Sequence, residues 1–302
     1  PDPNPLSTSY NCYGMRAVAA TAETGTDFEY NGHVWVGCYG YNPQAFVGER
    51  AVYKLNGNTG DLMAAYQLPG CHPYGFALDS DGRLWTSCRD AWGWSTDEGL
   101  AWIDTATGSE HMMPDDPMPP NPYGIAMDGE GRIWITAMGP NGQVWRYTPG
   151  PAPDMTGGVW EGYDVPDADN FRGIAVDSDG WVWVIDTSDE AVIHLIDPDV
   201  FPTTGAAIGS WYLGDDDFGG TVHAHNGVGV AVDFGGHVWG VSRCPGDANG
   251  YATRLEVDRS GTTPAVIGKD IVPVGTEPYS YSDMIGYHLR HFTTEEGWYS
   301  QV

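Results

Sequence analysis

Pro122-Tyr123-Gly124-Ile125-Ala126-Met127-Asp128, followed by Gly131-Arg132-Ile133-Trp134, is the stretch that decides the fold, because the chain repeats it. An earlier copy reads Pro73-Tyr74-Gly75-Phe76-Ala77-Leu78-Asp79 with Asp81-Gly82-Arg83-Leu84-Trp85. Later copies are Arg172-Gly173-Ile174-Ala175-Val176-Asp177 with Trp183, and Val228-Gly229-Val230-Ala231-Val232-Asp233 with Trp239. A looser copy is Tyr13-Gly14-Met15-Arg16-Ala17, resumed after an insertion as Asn31-Gly32-His33-Val34-Trp35. The tryptophans recur at intervals of 50, 49, 49 and 56 residues, a period that marks a repeat architecture rather than one irregular core.

Each copy opens with Gly and a short apolar run, passes an Asp/Gly turn and resumes as a β-branched or aromatic run, which is a hairpin signal. Two further strand-like runs follow in most copies, such as Val192-Ile193-His194-Leu195-Ile196 and Ser210-Trp211-Tyr212-Leu213. Four strands per repeat is the content of a propeller blade. The small residues of the first strand suit the axis where blades converge, and the Trp of the second suits the widening wedge between sheets. The Trp ladder therefore reads as packing rather than ligand stacking. The Asp79–Gly82 and Asp177–Gly180 turns resemble the start of a calcium loop but lack its remaining ligands, and they read as hairpin turns.

The expected fold is all-β: a β-propeller of four-stranded blades, six by this count, with five or seven also compatible. Residues 277–302 restore the Pro-Tyr phrase as Glu277-Pro278-Tyr279 but are too short for a full blade. A terminal strand from residues 1–10, otherwise a linker, is expected to close the ring, leaving 11–302 as a single propeller domain of a longer secreted protein.

Thirteen basic residues against 41 acidic give a net charge of −28, which repels nucleic acid and anionic lipid and leaves cations, sugars, peptides or a basic protein surface as partners. No stretch reads as a membrane-inserting segment. Cys12 and Cys38, and likewise Cys71 and Cys88, occupy similar places in successive repeats, which predicts disulfides Cys12–Cys38 and Cys71–Cys88 and leaves Cys244 unpaired or bonded elsewhere. Disulfides would place the chain at the cell surface or outside it, extracellular or periplasmic; ordinary buried thiols are the alternative.

The phrase Pro-Tyr-Gly-Ile-Ala-Met-Asp with its following Gly and Ile-Trp-Ile-Thr resembles the repeat of streptogramin B (virginiamycin B) lyases and, more distantly, NHL and gluconolactonase-like propellers. The likeness runs from about Tyr13 to Arg254 and implies the fold. Those lyases open an antibiotic lactone by elimination, with magnesium and a His base in a Glu-Pro-His-Gly phrase and a Glu three residues after the next Trp. Here the His position falls on Tyr74, Tyr123, Arg172, Val228 and Tyr279, and the Glu position on Cys38, Cys88, Ala137, Asp186 and Ser242. The resemblance thus argues against that lyase activity.

Two constellations remain. Tyr74, Tyr123 and Tyr279, with an Arg172–Asp186 ion pair, are candidates for ligand binding at the propeller face. Asp215-Asp216-Asp217 followed by His223-Ala224-His225 lies in the longest interval, and two His at i and i+2 of an extended segment point the same way. His223, His225 and Asp217 are thus the candidate ligands of a divalent cation, calcium, magnesium or zinc. The first functional expectation is an extracellular binding or assembly module with a protein or carbohydrate partner at that face, or with further domains of its own chain. The second is a metal-dependent lyase or lactone/ester hydrolase with a relocated site at His225, His223 and Glu277.

Overall fold

The computed structural model describes residues 15–21, 32–39, 51–89, 99–113, 119–139, 141–155, 157–203, 205–215 and 220–280. Among them lie five antiparallel four-stranded sheets and no helix. The first comprises β1 (Met15–Thr21), β2 (His33–Cys38), β3 (Ala51–Asn56) and β4 (Leu62–Gln67). The second comprises β5 (Pro73–Leu78), β6 (Arg83–Cys88), β7 (Gly99–Asp104) and β8 (Glu110–Met112). The third runs β9 (Pro122–Met127), β10 (Ile133–Ala137), β11 (Gln143–Thr148), β12 (Val159–Asp164), and the fourth β13 (Phe171–Val176), β14 (Val182–Asp186), β15 (Val192–Ile196), β16 (Ala207–Tyr212). The fifth holds β17 (Gly227–Val232), β18 (Val238–Ser242), β19 (Tyr251–Asp258) and β20 (Ala265–Pro273). Strands within each sheet pair in chain order, as in propeller blades. The sixth unit expected from Glu277 is described only as far as Ser280; its remaining residues lie outside the described residues, as does the proposed closing strand at residues 1–10.

The chain divides into two compact units, Pro1–Pro122 with Ala152–Thr156, and Tyr123–Pro151 with Gly157–Val302. In the first, Trp35 is buried with Phe76, Leu84, Ala101 and Ile103 of the next sheet. In the second, Trp134 packs on Phe171, Ile174 and Val184, and Trp183 on Val230, Val238 and Leu255. Each of these tryptophans fills the wedge between its own blade and its successor, and burying such a ring is worth about 3–5 kcal/mol against Ala. First strands of successive blades approach closely. A Cβ on Gly124 would lie 2.3 Å from the Arg172 carbonyl oxygen, and one on Gly173 would lie 2.7 Å from the Val230 amide nitrogen. The glycine of the repeated phrase is thus a requirement of backbone proximity.

The repeated aspartate has an equally local cause. In Asp79, Asp128, Asp177 and Asp233 one carboxylate oxygen accepts the amides two and four residues on, closing the turn. The other accepts the indole N–H six residues on, at 2.9, 2.7, 2.8 and 2.8 Å for Trp85, Trp134, Trp183 and Trp239. Turn and wedge are therefore locked by one side chain, and lone pairs that a calcium ion would use are already engaged.

Cys71 and Cys88 form a disulfide (S–S 2.08 Å). Cys38 is also disulfide-bonded, while its expected partner Cys12 lies outside the described residues. The Cys71–Cys88 bridge ties the start of β5 to the end of β6 across 17 residues. Its loss in a Cys71→Ala/Cys88→Ala variant is expected to cost about 3 kcal/mol, seen as a lower urea midpoint.

Candidate functional site

The side chains with unspent chemistry gather where the first strand of each blade begins, here the leading end. In four blades the pairing slips there by an extra residue: between Met15 and Ala17, Pro73 and Gly75, Phe171 and Ile174, and Gly227 and Gly229. Arg16, Tyr74, Arg172 and Val228 sit in these bulges, which re-aim a side chain out of the regular sheet. The backbone is held by a recurrent bond from the residue after the second strand to the residue two before the bulge. Arg89 N–H donates to the His72 carbonyl, Thr187 to Asn170 and Arg243 to Asn226.

In the second unit the expected ligand-binding residues meet. Tyr123 and Tyr279 share a short hydroxyl–hydroxyl hydrogen bond. The Arg172 guanidinium lies 5.9 Å from each of their ring centres, and that of Arg243 5.7 Å from the Tyr279 ring. Tyr123 is buried at 2% exposure, whereas Tyr279 is 38% exposed, so only Tyr279 offers a ring to solvent. Tyr74 belongs to the first unit, where it is buried beneath Arg89, 4.8 Å from its ring centre. The tyrosines are thus cation-supported packing at two positions and an accessible platform at one.

Arg172 and Asp186 do not form the expected ion pair. Asp186 is buried at the end of β14 and accepts the amides of Asp169 (3.0 Å) and Ser188 (2.8 Å), so its charge stabilises a loop. Arg172 donates instead to the Asn226 side chain at 3.2 Å. Among the described residues Arg172 makes no ion pair, and its Nε is buried without a hydrogen-bond partner, as is that of Arg243. Arg243 does have a counter-ion: it binds Glu277 at 2.6 Å, which takes Glu277 away from the histidines.

The metal reading changes as well. His223 and His225 point the same way, their rings stacked 5.4 Å apart. His223 hydrogen-bonds the Tyr212 hydroxyl at 3.1 Å. Asp217 lies outside the described residues, and Asp215 of the same run turns back on its own loop to accept the Val222 amide. The carboxylate at His225 is Asp247, 3.0 Å from Nε2, and Cys244 joins them: ligand atoms of His225, Cys244 and Asp247 lie within 4.8 Å of one another. Cys244 is a free, buried thiol, and burial pushes its pKa up, with the Asp247 charge adding to this against a hydrogen bond at His225.

Sequence reading missed Arg243, Cys244 and Asp247. The signal for Arg243 was present: Arg89 and Arg243 each stand four residues after a ladder tryptophan. Cys244 and Asp247 carry no such mark, since the fold alone brings them to His225.

At the opposite, turn end of the second unit lies a cleft of about 550 Å³ walled by carboxylates including Asp128, Asp177, Asp179 and Asp197. Arg259 bridges it, bonding Asp177 at 2.7 Å and the Gly236 carbonyl oxygen at 2.7 Å.

No protein-family description matches the chain, and no curated protein matches it in sequence. Among solved structures it is similar to virginiamycin B lyase from Staphylococcus aureus, at 19% identity and TM-score 0.56 over 89% of this chain and 71% of that one. It is also similar to a protein assigned as a 6-phosphogluconolactonase from Bacteroides uniformis, at 13% identity and TM-score 0.60 over 87% and 73%. A like-named protein from Bacteroides fragilis aligns at 12% identity and TM-score 0.59 over 87% and 72%. What the chain shares with these proteins is the β-propeller fold.

Proposed function

We propose that the protein is an extracellular binding module whose ligand docks at the leading end of the second unit, on Tyr279, Arg172 and Arg243. The carrying observation is Arg172: in a chain with 41 acidic and 13 basic residues, this guanidinium has no carboxylate partner among the described residues and a buried, unpaired Nε. A half-buried cation held ready without a counter-ion fits a ligand that supplies one. The exposed face of Tyr279 beside it fits a flat, weakly polar ring. Together they suit a saccharide carrying a carboxylate. The disulfide-bonded cysteines support an oxidising location.

The test is calorimetric titration with uronic-acid oligosaccharides and with the same oligosaccharides after carboxyl reduction. Binding is expected to disappear on reduction and to weaken roughly 10- to 100-fold in Arg172→Gln, the range of a lost charge-assisted hydrogen bond. Equal binding of both sugars, or by wild type and Arg172→Gln, would sink this reading.

A second reading, a metal-dependent lyase or lactone/ester hydrolase, draws support from the His225–Asp247 pair and from a fold also found in a lyase. Turnover in a lactone and ester panel that His225→Ala abolishes would support it. A silent panel leaves the binding module.

A further inference from the structure

We infer that His225, Cys244 and Asp247 form a zinc site at the leading end of the fifth blade. Thiolate, imidazole and carboxylate are the ligand types of zinc, and the sulfur donor disfavours calcium and magnesium. The spacing is close to what the ion needs. Zinc bonds of about 2.0–2.3 Å at tetrahedral angles hold ligand atoms roughly 3.3–3.7 Å apart. His225 Nε2 and Asp247 Oδ2 are already 3.0 Å apart, and the whole set lies within 4.8 Å. Small side-chain rotations complete the set.

The scaffold is built for it. Cys244-Pro245-Gly246-Asp247 is a turn closed by the Asp247 amide on the Cys244 carbonyl (3.1 Å), with Gly246 at φ 91°, so two ligands share one rigid element. The third is tied to the same element, because the Cys244 amide donates to the His225 carbonyl oxygen at 3.2 Å. Cys244 itself is held at φ 47°, a left-handed conformation that a cysteine seldom adopts without a cause. Its sulfur approaches the carbonyl oxygens of His223 and His225 at 3.6 and 3.7 Å.

On binding, the Cys244 thiol gives its proton to solvent and the thiolate sulfur bonds the ion. The His225 N–H facing Asp247 moves to the other ring nitrogen, which frees a lone pair, so about one proton is released per ion. Three protein ligands leave a fourth position for water or an exogenous donor, the composition of an open rather than a closed zinc site. The inference is independent of both functional readings, because metal uptake is read directly.

The experiment titrates the chelator-stripped chain with zinc chloride by calorimetry and with cobalt(II) by absorption. Expected are one ion per chain, a thiolate-to-cobalt charge-transfer band, and heat that varies with buffer as a released proton requires. Cys244→Ser, close in size to the native residue, is expected to lose the band, and His225→Ala to weaken binding roughly 100-fold or more. Asp247→Asn, altered on the exposed side of the site, is expected to weaken it at least about 10-fold, whereas His223→Ala leaves it unchanged. No stoichiometric uptake, a band that survives in Cys244→Ser, or undiminished affinity in Asp247→Asn would overturn the site.

Discussion

Asp177→Ala is expected to lower stability by about 2–4 kcal/mol, from an indole donor left unmet in the core and the loss of a charge pair whose arginine is 20% exposed. The Asp177 side chain is fully buried and carries four bonds at once. It closes its turn through the amides of Asp179 and Trp181, holds the Trp183 indole at 2.8 Å and receives Arg259 from the fifth blade at 2.7 Å. Truncation strands the Trp183 indole N–H in the core and leaves the Arg259 guanidinium with only Asp179 at 3.3 Å and the Gly236 carbonyl oxygen. Asp233 occupies the same repeat position and holds Trp239, but no arginine among the described residues pairs with it, so Asp233→Ala is expected to cost only about 1–3 kcal/mol. Urea unfolding of both variants reads the difference. Adding Trp183→Phe to Asp177→Ala keeps an aromatic ring and removes the orphaned donor, and is expected to return part of the loss. Equal costs at Asp177 and Asp233 would refute the role given to Arg259.

Acid is expected to destabilise the second unit well above the carboxylate range, and His194 is the cause. Burial pushes its pKa down to about 4, against opposing pulls from Asp186 and Asp167. The ring lies edge-on to Phe171, with Nδ1 2.8 Å from the Ser210 hydroxyl and Nε2 buried without a partner. Between pH 6.5 and about 4 the unfolded chain binds a proton at this residue and the folded chain does not. Stability therefore rises with pH across that window: the contribution is complete above 6.5 and lost as pH falls towards 4. The shift corresponds to about 3 kcal/mol. Asp233 acts in the same sense but over a lower pH window. Burial raises its pKa, but bonds from Trp239 and the His237 and Gly235 amides outweigh this and hold it below 3.8, so its contribution is lost only at still lower pH. His194→Leu is expected to flatten the stability curve between pH 7 and 4 while leaving the steeper loss below 4. Parallel wild-type and His194→Leu curves would contradict this assignment.

The blades were legible because their determinants are local and repeated. Gly124, Asp128 and Trp134 answer to neighbours within one hairpin or in the next blade, and every copy faces the same demands. The Cys71–Cys88 bond was legible for the same reason, since the two residues flank one hairpin. The site was legible only in part. Tyr123 and Tyr279 were singled out because they recur at the entry of the phrase, and Arg172, His223 and His225 because they depart from it, but their partners were not deducible from spacing.

The sequence by itself determined the all-β architecture, the four-stranded unit and the places where copies differ, since periodicity and turn chemistry act over a few residues. Only the tertiary structure decided that Arg172 meets Tyr123 and Tyr279 rather than Asp186, and that His225 meets Cys244 and Asp247 while Asp215 turns back on its own loop. Those contacts join segments up to 156 residues apart, as between Tyr123 and Tyr279. Such distances are set by how blades stack and where bulges turn side chains, and that geometry belongs to the packed unit rather than to any single repeat.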